Sequence, residues 1–158
     1  MSEGLTREQE LRMQHSAEMA QLIRAFKERF GDEAYQVAAQ LNGNKAFSEW
    51  RELAKKSENN SIESLINLLW EPLRAQGFEY EVFKTDAGYQ MKCTRCGFYE
   101  MAKYCGITEE AFYMICEADA YIAEGFNPNI GFKRTKTLMQ GHDCCDHFYY
   151  YKDKGKVT

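Results

Sequence analysis

Apolar residues recur at helical spacing through the first half of the chain, which predicts a helical N-terminal region. The first repeat runs over residues 6–30, and Gly31 is placed to end that helix. A second helix is predicted to open at Asp32, because small and apolar residues recur behind it at the same spacing. Asn42-Gly43-Asn44 predicts an interruption, after which the apolar stripe continues to about Lys56.

The spacing of apolar residues changes near the middle of the chain, from a helical period to strict alternation. Asn60 and Glu63 have the spacing of a capping box, which predicts a third helix behind them. Pro72 marks a kink in that helix or its end. Apolar and polar residues then alternate over 78–82 and again over 89–93, which predicts an antiparallel hairpin with one wet face.

The last part of the chain predicts two helices and then a second hairpin. A short helix is expected over 97–104, and another is expected to start at Thr108 and run to Gly125. The strands of the second hairpin are expected at 130–139 and 145–151. The pattern therefore predicts an α+β fold, in which a helical N-terminal region packs with an antiparallel sheet of two hairpins separated by two helices.

Length and composition fit a single folded domain. The chain has 158 residues, of which 44% are hydrophobic and 14% aromatic, so it can bury a substantial core. We expect a helical region over 1–76, an α+β core for ligand binding or catalysis over 77–152, and a tail over 153–158.

Charge and cysteine content restrict the class of function. The net charge of −4 provides no basic surface for nucleic acid, so no nucleic-acid partner is expected. No apolar run reaches the roughly 18 residues of a membrane span, so no membrane partner is expected either. Six cysteines without a secretion signal at Met1–Gly4 favour reduced thiols in a cytoplasmic protein.

Cys116 and Asp119 form the first candidate for chemistry. On an unbroken helix after Thr108, they share one face with Phe112 and Ala123, beside an apolar stripe that meets the sheet. We interpret them as a reactive pair, in which the thiol attacks and a carboxylate moves protons. A small buried cysteine beside a surface aspartate would produce the same pattern.

Arg134 shares a predicted strand face with Ile130, Phe132 and Leu138. An arginine is costly to bury without a partner, and its planar guanidinium suits a carboxylate. Two interpretations stay open: a structural pair with a carboxylate of the protein, and a clamp for the carboxylate of a ligand.

Further thiols and histidines are expected near this pair. Cys96 and Glu100 are one helical turn apart, Cys145 shares a strand face with His147, and His142 falls in the turn of the second hairpin. Thiolate, imidazole and carboxylate groups suit zinc, and they equally suit a nucleophile beside a general base. The zinc interpretation has the candidate ligands Cys96, Cys116, Cys145 and His142.

Several linked motifs run in order through about residues 78–150. They are Arg95-Cys96 with Tyr99-Glu100-Met101, Cys116-x-x-Asp119, Glu124-Gly125-Phe126-Asn127-Pro128, and Arg134-Thr135-x-Thr137-Leu138-Met139-x-Gly141 with Cys145-Asp146. This arrangement resembles the L-2-amino-thiazoline-4-carboxylic acid hydrolase family. The resemblance implies a hydrolase that opens a small cyclic amidine with water at the amidine carbon–nitrogen bond, giving a product of the N-carbamoyl-cysteine type.

The resemblance also implies roles for residues inside the motifs. Asp119 or Glu100 would handle protons during attack on the amidine carbon, or Cys116 would hold a metal whose bound water attacks. Arg134 would bind the substrate carboxylate. The implied catalytic set is Cys116, Asp119, Cys96, Glu100 and Cys145, and the implied substrate-binding set is Arg134, Asn127 and Thr137.

The same segment is distantly similar to the 4-vinyl reductase ligand-binding domain, some members of which hold zinc. Arg134 occupies the position of that domain's glutamate and Thr137 that of a cysteine, whereas Gly141 and Cys145 fit. Zinc would therefore need an altered ligand set. The second functional class is a non-catalytic sensor or binding domain for a small acid or a metal. The apolar stripes of the N-terminal helices are interpreted as core or as the surface of a homodimer.

Overall fold

The computed structural model describes residues 6–152 and confirms the α+β fold. The predicted tail over 153–158 and the signal-free start at Met1–Gly4 lie outside the described residues. Among the described residues, no helix is long and apolar enough to cross a membrane. The helices are α1 (Arg7–Phe30), α2 (Glu33–Lys56), α3 (Ile62–Arg74), α4 (Gly97–Cys105), α5 (Thr108–Met114) and α6 (Asp119–Phe126), and the strands are β1 (Glu79–Thr85), β2 (Gly88–Arg95), β3 (Ile130–Lys133) and β4 (Phe148–Tyr151).

The four strands form one antiparallel sheet in the order β1-β2-β4-β3. Both predicted hairpins are confirmed, because β1 pairs with β2 and β3 pairs with β4. The strands of the second hairpin are shorter than predicted, since the segment between them includes a 3₁₀ turn at Leu138–Gln140. On the inner face Met91, Cys93 and Tyr149 are buried against α3 and α6. The alternation of residues in a strand thus places the predicted inner residues in the core.

The ends of the long helices follow their local sequence. Gly31 adopts a positive φ of 87° and ends α1, as predicted. The cap of α3 lies one residue later than predicted: Ser61 rather than Asn60 accepts the backbone N–H of Ser64. Pro72 lies inside the last turns of α3 and does not end the helix.

The interruption predicted at Asn42-Gly43-Asn44 is wrong, because α2 runs through it without a break. Gly43 is buried against α6, where an added Cβ would lie 2.6 Å from the ring of Tyr121. On α6, a Cβ at Gly125 would lie 2.5 Å from the carbonyl oxygen of Phe47. Both glycines therefore serve the close approach of α2 and α6 rather than a turn.

The single helix predicted from Thr108 to Gly125 is divided in two. Helix α5 ends at Met114, Ile115 leaves helical geometry, and a 3₁₀ turn at Cys116–Ala118 leads into α6. The carbonyl oxygen of Cys116 accepts a hydrogen bond from Arg134, which gives this peptide a partner outside the helix. Cys116 and Asp119 consequently lie at the break between two helices rather than on one continuous face.

A buried ion pair joins α1 to α5. Glu110 is 1% exposed, and its two carboxylate oxygens lie 2.7 Å and 3.0 Å from Nε and Nη2 of Arg24. The hydroxyl of Tyr35 on α2 donates to the same carboxylate at 2.8 Å. Burial by itself would raise the pKa of Glu110, but the hydrogen bonds from Arg24 and Tyr35 outweigh burial and hold the pKa below its ordinary value.

Candidate active site

A polar cluster interrupts the buried inner face of the sheet where α6 begins. Arg134, directly after β3, donates from Nη1 to Oδ2 of Asp119 at 2.5 Å and to the Cys116 carbonyl at 2.6 Å. Its Nη2 donates to Oε1 of Glu117 at 3.2 Å. The Arg134 side chain is 10% exposed and lies over the rings of Phe112 and Phe132. The guanidinium is thus held by carboxylates of the protein, which supports the structural interpretation of Arg134.

His147, directly before β4, contacts the same aspartate. Its Nε2 lies 3.1 Å from Oδ2 of Asp119, the oxygen that also accepts from Arg134. The imidazole packs between two rings, with centroid distances of 5.0 Å to Trp70 and 5.5 Å to Phe132. His147 is 8% exposed, and its Nδ1 is buried without a hydrogen-bond partner. Asp119 therefore connects a buried cation to a buried imidazole.

Three of the predicted cysteines have raised pKa values near this cluster. Burial raises the pKa of Cys116, and the charges of Asp119, Cys96 and Cys145 raise it further. Burial also raises the pKa of Cys96 and raises that of Cys145 to about 11. The convergence of the three thiols on one site stays a prediction. The thiols are protonated at neutral pH in this environment.

A cavity opens beside the cluster. Its volume is about 470 Å³, and its wall includes Cys116, Glu117, Phe132, Arg134 and Thr135. This volume is in the range of pockets that hold small ligands. A larger apolar groove of about 650 Å³ lies between α1 and α2, but it contains none of the clustered polar groups. The smaller cavity is therefore the better candidate for chemistry.

The structure does not bring Glu100 into the buried cluster. Glu100 is exposed, and its Oε1 accepts from Nε of Arg95 at 2.9 Å. Its charge still contributes to the raised pKa of the Cys96 thiol. The geometry leaves Asp119 as the better-placed carboxylate of the two that were predicted to move protons.

Two predicted substrate-binding residues have local structural partners. The side chain of Asn127 donates to the carbonyl of Asn60 at 2.8 Å and accepts from the amide of Asn129 at 2.9 Å. Thr137 is buried, and its hydroxyl accepts the backbone N–H of Gln140 at 3.1 Å. These contacts fix the end of α6 and cap the 3₁₀ turn at Leu138–Gln140, so substrate binding by either residue stays a prediction without geometric support.

The zinc interpretation has no support from the arrangement of ligands. Within residues 6–152, no three His, Cys, Asp or Glu side chains are placed to hold a metal ion together. His142 is exposed, and its Nδ1 lies 3.2 Å from the backbone nitrogen of Thr137. The donor set proposed from the sequence therefore does not fit a tetrahedral site.

We expect the clustered thiols to react slowly with an alkylating agent in the native protein. Burial and neighbouring charge leave little thiolate at Cys116 and Cys145, and the thiolate is the reactive form. Labelling with iodoacetamide at pH 8, followed by peptide mass spectrometry, should be slower by roughly 10² than in the urea-unfolded protein, since each pKa unit changes the thiolate fraction about tenfold. Fast native labelling of Cys116 would contradict the described environment.

Comparison with known proteins gives one family and two similar folds. The family model described as L-2-amino-thiazoline-4-carboxylic acid hydrolase matches residues 10–149, so the match includes the N-terminal helices that the sequence motifs did not cover. No curated protein matches the chain.

The similar solved structures share the fold at low sequence identity. The phenol-responsive sensory domain of the transcription activator PoxR, solved with phenol, is 12% identical, with a TM-score of 0.59 over 87% of this chain and 74% of that chain. A trafficking protein particle complex subunit 3 from Naegleria fowleri, covalently bound to palmitic acid, is 10% identical, with a TM-score of 0.55 over 91% of this chain and 97% of that chain. The sensory domain is consistent with the distant similarity to the 4-vinyl reductase domain.

Proposed function

Because this chain belongs to the L-2-amino-thiazoline-4-carboxylic acid hydrolase family, we propose that it binds and hydrolyses a small cyclic amidine such as L-2-amino-thiazoline-4-carboxylate. One observation carries the proposal. A single oxygen of Asp119 contacts both Arg134 and His147, beside a cavity of about 470 Å³ that Cys116 and Arg134 line. A carboxylate held in this way is fixed in position and can assist proton transfer.

The atoms of the proposed reaction balance in one way. Water adds to the amidine carbon of the thiazoline ring. A product of the N-carbamoyl-cysteine type keeps both nitrogens on that carbon, so the ring carbon–sulfur bond breaks. The electron pair of that bond leaves on sulfur, which takes up one of the two water protons to become a thiol. The other water proton ends on the ring nitrogen as the carbonyl of the product forms. The carbon–nitrogen bond expected from the resemblance is therefore not the bond that breaks.

Water is a better candidate than Cys116 for the attacking group. A cysteine attacks as its thiolate, and burial together with the charge of Asp119 raises the pKa of the Cys116 thiol. We assign to Cys116 the role of a neutral wall of the cavity, and to Asp119 the role of assisting the transfer of the water proton. This assignment differs from both mechanisms that the sequence left open, which were attack by Cys116 and attack by a water bound to a metal at Cys116.

Arg134 keeps its structural pairing with Asp119 in this proposal and in addition supplies the positive charge for the substrate carboxylate. Its contact with the partly exposed Glu117 is longer than its contact with Asp119, so we assign the substrate to the side of Glu117. Arg134→Lys keeps the charge and loses the planar fork. We expect KM to rise at least about tenfold, a loss near 1.4 kcal/mol. Steady-state kinetics measure this change, with Arg51→Lys on the exposed face of α2 as control; unchanged KM in Arg134→Lys would exclude the clamp.

A direct assay tests the function as a whole. The protein is purified without chelator and incubated with L-2-amino-thiazoline-4-carboxylate, and the released thiol is followed by a colorimetric thiol reagent and by mass spectrometry. Turnover supports the proposal. Saturable binding in calorimetry without any product would instead favour the second candidate function, described next. If the protein shows no binding and no turnover, L-2-amino-thiazoline-4-carboxylate is excluded as its substrate.

The second candidate function is a sensor domain that binds a small molecule without turnover. A similar fold serves as a phenol-responsive sensory domain in PoxR. The Cys116 thiol, whose pKa is raised by burial, lines the cavity as a weakly polar group rather than as a nucleophile. Calorimetry with phenol discriminates the sensor function from the hydrolase function. Binding of phenol, with no turnover of the thiazoline, would favour the sensor.

The setting we propose is cytoplasmic. All six cysteines are free thiols, and several of them lie close together at the cluster. Reduced cysteines in proximity fit a reducing compartment.

We also propose that the apolar groove between α1 and α2 binds a second copy of the chain. Phe30, Val37 and Leu41 are 66%, 59% and 67% exposed there, which is unfavourable on a free surface. The groove is lined by residues between 15 and 30 of α1 and between 33 and 42 of α2, which are roughly 24 Å and 15 Å of helix. These segments side by side present a face on the order of 400 Å², about half of the 800 Å² or so per partner of a stable interface, so we expect a weak dimer.

Leu41→Asp should therefore shift the chain from dimer to monomer, because it places a charge in the centre of the apolar face. Sedimentation equilibrium measures the change, and we expect the dissociation constant to rise at least about 100-fold, the effect of roughly 3 kcal/mol. Gln36→Asp, exposed on α2 outside the groove, adds the same charge as a control. A monomeric unmodified protein at micromolar concentration would exclude the dimer.

A further inference from the structure

The buried imidazole of His147 has one nitrogen in use and one free. Nε2 contacts the Asp119 carboxylate at 3.1 Å, whereas Nδ1 is enclosed without a partner. An unpartnered polar atom in a protein interior costs about 1–3 kcal/mol. A phenylalanine would fill the space between Trp70 and Phe132 without that cost, so packing alone does not account for a histidine at this position.

The contact with Asp119 decides which nitrogen carries the proton. An ionised carboxylate only accepts hydrogen bonds, so the 3.1 Å contact favours the tautomer with the proton on Nε2 over one with a lone pair there. Nδ1 then holds the lone pair and is the atom that can take up a proton. Arg134 bonds to the same oxygen of Asp119 and helps keep that carboxylate in place.

We propose that Nδ1 of His147 accepts the proton of the attacking water, with Asp119 and Arg134 as its positioning residues. This inference rests on the proposed function. As the water oxygen bonds to the amidine carbon, its proton passes to Nδ1 and gives an imidazolium that Asp119 stabilises. The imidazolium then returns that proton to the sulfur that leaves, while the second water proton ends on the ring nitrogen as the carbonyl forms, so His147 ends the cycle as it began it.

Phe132 determines how the ligand reaches this nitrogen. Its ring packs against the imidazole, with centroids 5.5 Å apart, and it also lines the cavity beside Arg134. The side chain thus lies between the cavity and His147. The proposal therefore requires this ring to turn aside so that Nδ1 reaches the cavity, and Phe132→Ala should leave that path open.

Nitrogen NMR tests the state of the imidazole without any need for turnover. The described chain contains three histidines, and the signals that disappear in His147→Gln are those of His147. In long-range ¹H–¹⁵N spectra, we expect the neutral ring of His147 to carry its proton on Nε2 and none on Nδ1. Its Nδ1 signal should shift when L-2-amino-thiazoline-4-carboxylate is added. Protonation at Nδ1 in the neutral ring would overturn the proposal.

Kinetics separate a role in proton transfer from a role in structure. His147→Gln removes Nδ1. Its side-chain amide N–H lies near the position of Nε2 and so keeps a donor beside Asp119. We expect kcat to fall about 10²–10⁴-fold, with substrate affinity by calorimetry within about threefold of the unmodified protein. His15→Gln, exposed on α1, is the matched control. Undiminished kcat in His147→Gln would overturn the role of His147 and leave the proposed function in place.

A second variant covers a failure of His147→Gln to fold. His147→Phe should be at least as stable as the unmodified protein, because it removes the unpartnered nitrogen, and it should have no measurable turnover. A stable His147→Phe variant with full activity would equally overturn the proposal. If the unmodified protein itself turns over no cyclic amidine, the proposed function fails, and the NMR result still decides whether Nδ1 is free to accept a proton.

Discussion

Arg24→Met is expected to lower the free energy of unfolding by about 3 kcal/mol. The substitution keeps the length of the side chain and removes its charge, which leaves the carboxylate of Glu110 buried at 1% exposure with Tyr35 as its remaining donor. A buried charge without an opposite charge costs about 3–5 kcal/mol. We expect the lower end of that range, because the Arg24 side chain itself is 44% exposed and its pairing is screened by solvent.

Urea unfolding measures this loss, and the double variant Arg24→Met, Glu110→Gln is its control. Removing both charges should recover a substantial part of the stability, because no charge is then left buried alone. Equal stability of Arg24→Met and the unmodified protein would contradict the ion pair as described.

The same loss should depend on pH. The ion pair holds the pKa of Glu110 below its ordinary value, so its contribution is present above the unfolded pKa, near 4.3 for glutamate, and is lost as pH falls through the folded pKa. In Arg24→Met, burial without the cation should raise the pKa of Glu110, so the carboxylate is neutralised at a milder pH. The difference in stability between the two proteins should therefore be largest near pH 7 and shrink towards pH 4.

Asp119→Asn is expected to reduce kcat by about 10²–10⁴-fold under the proposed mechanism. The amide keeps the size of the carboxylate but cannot stabilise a cation at His147 or pair by charge with Arg134. The effect should fall on kcat more than on KM, because the charge is needed when the proton has moved. Asp86→Asn, in the exposed turn between β1 and β2, is the matched control. A kcat within threefold of the unmodified protein would exclude Asp119 from proton transfer.

Local sequence patterns predicted the elements whose stability is local. The positive φ at Gly31 ends α1 where the sequence placed that end, and α4 ends at Cys105, one residue beyond its predicted end. Alternation predicted both hairpins and placed Cys93 on the inner face. These features depend on residues a few positions apart, which one sequence reveals.

Features that depend on distant partners were not visible in the sequence. Gly43 has the appearance of a helix breaker until the ring of Tyr121 on α6 is placed against it. The break at Ile115 depends in part on Arg134, which binds the Cys116 carbonyl from 18 residues away. Arg24 and Glu110 are 86 residues apart, and neither has a local signal for the pair.

The sequence predicted only those residues of the candidate site that lie in local motifs. Motifs identified Cys116, Asp119 and Arg134, which the structure brings together. His147 had one available signal, the strand face it shares with Cys145, but its contact with Asp119 follows from the packing of α6 on the sheet. Glu117 had no signal at all, because an exposed glutamate in a helical segment is ordinary.

The break at Ile115 lies between the apolar groove and the polar cavity. Ile115 lines the apolar groove of α1 and α2, and its neighbour Cys116 lines the polar cavity. If a second copy in the groove changes the affinity of the cavity for its ligand by some factor, the ligand must change the affinity of the two copies for each other by the same factor. The affinity of the cavity for its ligand would then change with protein concentration. A rise in affinity at high concentration would mean that dimer formation and ligand binding favour the same backbone geometry at Ile115, and a fall would mean that they favour different geometries.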